Sequence, residues 1–246
     1  MEIWKRVLGL LLVILIFFMF TRTKLYAGPF NEYDVQFNAS HGDYANVYRC
    51  KENTNKEIAL TFDDGPHPVY TDKILDILKE YGVKATFFMI GENVINYSEV
   101  ALRVKNEGHE IGNHTVKHLS ARKTPEEDLV TDMISCSEII YNVLGFNPSI
   151  VRPPEGAIVP SVLEVCDKIN CSVILWNVDT RDWAHTSPSR IFKNVMQNTD
   201  SGDIILMHDY ISKNSPTPEA LRMIIPKLLE QGYSFVTVSE LIKADD

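Results

Sequence analysis

The chain has 246 residues, of which 45% are hydrophobic and 23% charged, with a net charge of −9. That is enough apolar material for one well-buried domain of barrel size with a short extension, and it excludes a disordered chain. Basic clusters of the kind that bind nucleic acid are missing, so that class of partner is excluded too.

In chain order, Lys5-Arg6 precede an uncharged apolar run from Val7 to Phe20, and Arg22 and Lys24 follow it. A run this short reads as a signal-peptide core or a membrane anchor, because a spanning helix wants about 20 apolar residues. The two basic residues between the run and Leu25-Tyr26-Ala27-Gly28, and a large Leu25 three residues before the cut, tip the reading toward an uncleaved anchor. We therefore assign residues 1–28 to a signal peptide or membrane anchor with a hydrophobic N-terminal helix. Residues 29–56 are polar with no clear period and read as an extracytoplasmic stalk or extension. Residues 57–243 form the main folded unit.

From Glu57 onward strand and helix signals alternate. Ile58-Ala59-Leu60 is a buried strand, and Asp72 to Tyr81 is a helix with Ile74, Leu75 and Leu78 on one face, stopped by Gly82. Ala85 to Ile90 is a strand, and Glu92 to Glu107 a helix ending at Gly108. His109-Glu110-Ile111-Gly112 starts a short strand. Thr124-Pro125-Glu126-Glu127 carries the signature of a capping box opening a long helix, and Ser161 with Glu164 repeats it. Ser187-Pro188 opens another helix, Glu219 to Glu230 is helical, Ser234 to Thr237 is the last strand, and a tail helix runs through Ile242. Such alternation argues for a parallel α/β sheet and leaves open whether that sheet is doubly wound or a barrel. The four cysteines, Cys50, Cys136, Cys166 and Cys171, are too few for a disulfide-built fold, and one bridge or none fits equally.

Five polar clusters each follow an apolar run of strand length. The first, Thr61-Phe62-Asp63-Asp64-Gly65-Pro66, sets two carboxylates side by side at the end of a buried strand. Carboxylates that close repel and resist burial unless a cation or a proton sits between them. The second, His114-Thr115-Val116-Lys117-His118, places imidazoles at i and i+4, which share a face on a helix or helical turn and can converge on one ion. Two imidazoles with Asp64 or Asp63 make a three-ligand set that leaves positions open for water and substrate. The remaining clusters are Arg152-Pro153-Pro154-Glu155-Gly156, Asp179-Thr180-Arg181-Asp182-Trp183 and Leu206-Met207-His208-Asp209. In parallel strand-helix barrels the reactive groups gather at the carboxyl ends of the strands.

With these five motifs in this order, the chain resembles the polysaccharide deacetylases, carbohydrate esterase family 4, which share the NodB-homology domain. The resemblance runs from about Glu57 to Ile242. It implies a distorted (β/α) barrel of about seven parallel strands. It implies Asp63 as the catalytic base, Asp64, His114 and His118 as metal ligands, and Arg152 as the residue holding the base. Asp179 matches the acid that tunes the catalytic histidine, and His208 matches the general acid. Asp182 and Trp183 match positions that support and wall the groove, and Leu206 lines the acetyl pocket. Glu155 departs from the pattern, which usually has Tyr or Phe there; its backbone N–H can still serve the oxyanion, while its side chain changes the groove wall.

The implied activity is metal-dependent hydrolytic removal of N-acetyl groups from a cell-surface polysaccharide by a monomer outside the cytoplasm, anchored to the membrane or secreted to the cell wall. The donor set suits Zn2+ first, with Co2+ or Ni2+ as substitutes. Peptidoglycan N-acetylglucosamine is the first expectation for the substrate, with N-acetylmuramic acid and chitin oligomers next and an O-acetyl ester of xylan further off. A non-catalytic glycan-binding protein that keeps the fold is the competing class.

Overall fold

The computed structural model describes residues 47–53, 55–211 and 213–243. The anchor or signal segment and most of the 29–56 extension lie outside the described residues. Among the described residues no helix is long and apolar enough to cross a membrane.

Among the described residues nine short strands make one sheet: β1 Val47–Tyr48, β2 Glu57–Asp63, β3 Thr86–Met89, β4 Glu110–Asn113, β5 Ile150–Val151, β6 Ser172–Ile174, β7 Val178–Asp179, β8 Ile204–His208 and β9 Ser234–Val236. Their order is β1-β6-β5-β4-β3-β2-β8-β7, with β9 beside the first half of β2, and every ladder is parallel. The path curls into the expected distorted barrel. Its strand count exceeds the expectation because β1 and β7 are two-residue pieces too short to register as apolar runs. Between the two ends of the path, the Cys50–Asp203 bridge ties the segment after β1 to the turn before β8.

The helices are α1 Tyr70–Tyr81, α2 Gly91–Asn96, α3 Ser98–Asn106, α4 Glu126–Leu144, α5 Pro160–Ile169, α6 Pro188–Asn198, α7 Thr217–Glu230 and α8 Val238–Lys243. The single helix expected from Glu92 to Glu107 is two, divided at Tyr97, whose φ −131° and ψ 45° are not helical. Neither capping box forms. Pro125 rather than Thr124 takes the N-cap of α4, and the Ser161 hydroxyl reaches across to Glu126 at 2.6 Å instead of capping its own helix. A side chain near a helix start has rival partners that spacing in the sequence does not reveal. Ser187 does precede α6, with Pro188 at its first position.

Strand β2 is the axis of the packing. Successive side chains on a strand point to opposite faces. Ile58, Leu60 and Phe62 therefore pack outward in the cluster that holds Ile74, Leu75 and Leu78 of α1, with Phe62 stacked on Phe87 at 5.0 Å. Ala59 faces inward among Phe88, Ile150, Ile174 and Ile204. The same alternation sends Thr61 and Asp63 inward above Ala59. At the opposite mouth α8 closes the barrel: Val238 and Leu241 join the inner cluster, and the N–H groups of Val238 and Ser239 donate to Thr86 Oγ1 and Glu110 Oε2. Cys136, Cys166 and Cys171 are buried free thiols.

Gly202 turns the chain into β8 with φ +88°. Its N–H donates to Glu57 O at 2.7 Å and its carbonyl accepts from Lys51 N at 2.9 Å. A Cβ there would fall 1.9 Å from Lys51 O, a backbone atom that cannot step aside. Gly202→Ala is expected to cost about 2 kcal/mol or more, read as a lower denaturation midpoint with unchanged slope. A midpoint equal to wild type would show that this turn does not hold the barrel ends together.

Candidate active site

All five sequence clusters stand on the same rim, at the carboxyl ends of β2, β4, β5, β7 and β8. In the β2–β8 ladder Asp63 lies opposite His208 and Thr61 opposite Leu206. The base and acid candidates therefore sit on adjacent strands with side chains on the same face.

Asp63 is 3% exposed and meets Arg152, which is fully buried. The guanidinium donates to Asp63 Oδ1 at 2.7 Å, to Thr61 Oγ1 at 2.8 Å, to Leu175 O at 3.0 Å and to Ile174 O at 3.2 Å, and it lies over the Phe88 ring at 4.1 Å. A buried cation is costly to desolvate, and these acceptors with one carboxylate offset that cost. The result is an Asp63 fixed in one orientation. Asp64 leaves the strand in a left-handed conformation, φ 75°, which turns its side chain away from that of Asp63. Its carbonyl accepts from Asn93 Nδ2 at 2.8 Å, and Gly65 O accepts from Ile90 N at 2.9 Å. Residue 65 must be glycine, because a Cβ would overlap the Asp209 carboxyl at 1.9 Å.

The two histidines converge, but not on a helix. Residues 114–118 are a loop after β4, with positive φ at Thr115 (64°) and His118 (52°). Side chains hold its backbone. Asn113 Oδ1 accepts from Thr115 N at 2.7 Å, and Thr115 Oγ1 from His118 N at 3.1 Å. Asp132 Oδ2, reaching in from α4, accepts from Val116 N at 3.0 Å and Lys117 N at 3.1 Å. A helical turn would satisfy those N–H groups itself; here buried acceptors replace it.

His114 Nδ1 lies 2.7 Å from Arg152 O. A carbonyl only accepts, so Nδ1 carries the proton and Nε2 presents its lone pair. That nitrogen is 3.4 Å from Asp64 Oδ1, and His118 Nε2 is 3.5 Å from the same oxygen. Asp64 Oδ1 is buried with no hydrogen-bond partner among the described residues. Lone pairs facing a carboxylate oxygen across such gaps call for a cation between them, and the three ligand atoms lie within 4.8 Å of one another. The residues thus fit a divalent ion in the two-nitrogen, one-oxygen set of open catalytic sites. The charges of these groups act strongly on one another. Burial pulls His114 down, but Asp63 and Asp64 overrule it and raise it. Burial raises Asp64, yet His114, His208 and His118 bring it below its ordinary value. His118, with burial and the neighbouring His114 against its charge, is lowered.

One assignment is corrected. The carboxylate that meets the His208 ring is Asp182, not Asp179. Asp182 is fully buried; its Oδ1 lies 2.8 Å from His208 Nδ1, while its Oδ2 accepts from His208 N at 2.7 Å and Thr217 Oγ1 at 2.8 Å. Burial would lower the His208 pKa, but the Asp182 hydrogen bond and charge raise it to about 9. Asp179 instead accepts from Arg181 N at 2.8 Å and Trp183 Nε1 at 3.3 Å, so it orients the half-exposed Trp183. The two acids are three residues apart on one loop, and order in the motif cannot say which turns inward.

Leu206 is buried on the same face of β8 as His208. Glu155 sits in a tight turn at φ 59°, exposed, with Oε2 accepting from Ser120 Oγ at 3.3 Å. His109 accepts from Ala85 N and is a structural residue, as expected. Sequence reasoning missed Asn113, Asp132 and Asp209. Asp209 is buried, its carboxyl pushed up to about 7 by burial; it accepts from Thr71 Oγ1 at 2.5 Å, and its N–H donates to Asp63 O at 3.2 Å. Its place next to His208 was a usable signal. Asp132, in mid-helix, gave none.

Residues 51–174 match the family described as polysaccharide deacetylase. A peptidoglycan-N-acetylglucosamine deacetylase of Bacillus cereus is 42% identical over 193 residues, 78% of this chain and 90% of that protein. The crystal structure of the Bc1960 peptidoglycan N-acetylglucosamine deacetylase, in complex with an N-hydroxybenzamide compound, superposes with TM-score 0.76 at 38% identity, covering 79% of this chain and 92% of that one. A family 4 acetyl xylan esterase from Clostridium thermocellum, in complex with a cobalt ion, does so with TM-score 0.69 at 35% identity, covering 76% and 90%. With the five motifs gathered on one rim and this extent of similarity, the chain belongs to the polysaccharide deacetylase family, carbohydrate esterase family 4.

Proposed function

We propose that this protein hydrolyses the N-acetyl groups of peptidoglycan N-acetylglucosamine, releasing acetate, with a divalent ion held by Asp64, His114 and His118. The observation that carries the proposal is the unpartnered Asp64 Oδ1 between two imidazole nitrogens, with Asp63 clamped separately by Arg152. When bound, such an ion lowers the pKa of water and polarises a carbonyl. Zinc is the first choice for this donor set, and cobalt, held by the Clostridium esterase, suits it too. The substrate follows from the Bacillus cereus relative and from the lack of basic clusters that a strongly anionic polymer would favour.

Asp63 is the base that takes a proton from the attacking water, since Arg152 occupies only one of its oxygens. The N–H of Glu155 is the oxyanion donor. In its turn Gly156 N and Ala157 N donate within the backbone, to Pro153 O and Pro154 O. His208, kept protonated by Asp182, gives a proton to the departing amine, a poor leaving group without it. Leu206 and Trp183 line the pocket and groove. The proposal places the catalytic unit, residues 57–243, outside the cytoplasm, tethered by or released from its N-terminal segment.

The test is purified peptidoglycan incubated with the full chain and zinc, followed by mass spectrometry of the muropeptides. One acetyl mass should be lost from the glucosamine, and a chelator should prevent it. Loss from muramic acid instead would move the substrate assignment, and no loss at all with metal bound would end the reading.

Asp63→Asn should abolish turnover yet keep metal content, because Asn retains an acceptor for Arg152 and Asp63 is not a ligand. His114→Ala should lose metal and activity together. Elemental analysis separates the two, and metal lost from Asp63→Asn would exchange the roles of the two aspartates.

Asp182→Asn removes the charge that sustains the raised His208 pKa. A general acid works only below its pKa, so the alkaline fall of kcat/KM should move to lower pH, by roughly one unit. An unmoved alkaline limb would remove His208 from the proton-donating role.

A further inference from the structure

Four rings gather on the rim outside the catalytic residues. The His67 ring is stacked on Tyr210 with centroids 4.2 Å apart and planes 8° apart; Tyr70 lies 5.3 Å and Tyr97 6.2 Å from His67. Tyr97 and Tyr210 are each 36% exposed, and none of the four joins the buried clusters of the barrel. Core packing therefore does not explain them. We propose that His67, Tyr97 and Tyr210 form a sugar-stacking subsite, which holds the glycan unit next to the one being deacetylated.

The proposal rests on the deacetylase reading above, and the placement of the rings supports it. His67 is three residues past the ligand Asp64, and Tyr210 two past the acid His208. Tyr97 ends the helix α2 whose Asn93 holds the Asp64 carbonyl. All three are thereby anchored to the machinery itself. The amine that leaves is a ring substituent of the sugar, so the sugar must lie on the His208 side of the site, where Tyr210 stands. A pyranose offers a face of C–H bonds edged by hydroxyls, which matches an aromatic face with a polar tip.

The rings are also electrically suited to a neutral ligand. His67 Nδ1 accepts from Val69 N at 3.1 Å and Tyr70 N at 3.3 Å, so its proton sits on Nε2, where it can serve a hydroxyl. Burial lowers its pKa and keeps the ring uncharged. Tyr70 is spent on structure, its hydroxyl accepting from Asn214 N at 2.7 Å.

The test uses the full, zinc-loaded chain with N-acetylglucosamine oligomers from dimer to pentamer, and 4-nitrophenyl acetate as an acetyl substrate without sugar. Tyr210→Ala should raise KM for the pentamer about tenfold while kcat and ester turnover stay near wild type. Tyr97→Ala should act in the same direction, and Tyr210→Phe should keep the wild-type KM. An unchanged pentamer KM in both alanine variants would overturn the subsite, as would an equal loss on every substrate, which would make the rings a buttress of the His208 loop. Calorimetry of the pentamer in the Asp63→Asn background decides the matter independently of turnover. If wild type releases no acetate, the deacetylase reading fails; weaker pentamer binding on adding Tyr210→Ala still supports the subsite, and equal binding overturns it.

Discussion

Two neighbouring carboxylates at the end of a buried central strand are the constraint that the rest of the site answers. Carboxylates that close repel each other and resist burial unless each finds a countercharge. The fold separates them by backbone geometry and gives each its own countercharge. Strand alternation turns Asp63 into the barrel, where Arg152 waits with its guanidinium fixed by two carbonyls and a threonine. The left-handed conformation of Asp64 turns the next side chain toward His114 and His118. One carboxylate thus has a permanent cation of the protein's own, and the other a place for an exchangeable one. That division gives identical side chains, adjacent in sequence, different surroundings.

The loops that complete the site share one device: a buried side-chain acceptor replacing the hydrogen bonds a helix or strand would have supplied. Asp132 accepts two N–H groups of the histidine loop, Asp182 takes the N–H of His208 along with its ring, and Asp209 joins the Thr71 hydroxyl to the end of β8. Unmet N–H groups at such depth are costly, so these acids set loop shape as firmly as a ladder would.

Strand ends and polar clusters were legible in the sequence because β2 and its neighbours are buried on both faces and read as apolar runs, each stopped by a polar group. The gathering of Asp63, Asp64, His114, His118, Arg152 and His208 on one rim was legible for the same reason: such groups have little cause to follow buried strands. What could not be read was orientation within a loop. His114 and His118 have helical spacing but loop geometry, because Asp132, distant in sequence, captures the N–H groups a helix would use. Asp179 and Asp182 are chemically alike, and only the packing of Thr217 and His208 around one of them tells which turns inward. The break at Tyr97 and the unused capping boxes belong with these: each is a local preference overruled by a partner from elsewhere in the chain.

A last consequence concerns which parts of the site are free to vary. Asp63 and His208 are paired across one parallel ladder, so their separation is set by the spacing of adjacent strands, about 4.8 Å between backbones. No loop change alters that distance without breaking β2 from β8. Arg152 and Leu206 are fixed by the same sheet. His118, Glu155, Trp183 and Tyr210 stand on loops whose shape depends on side-chain contacts. The Asp63–His208 geometry is therefore part of the fold, whereas the surroundings of these loop residues can change by substitutions that leave the barrel intact. Glu155, where the family resemblance implies an aromatic ring, is a position of this second kind: it stands exposed in a tight turn at φ 59°.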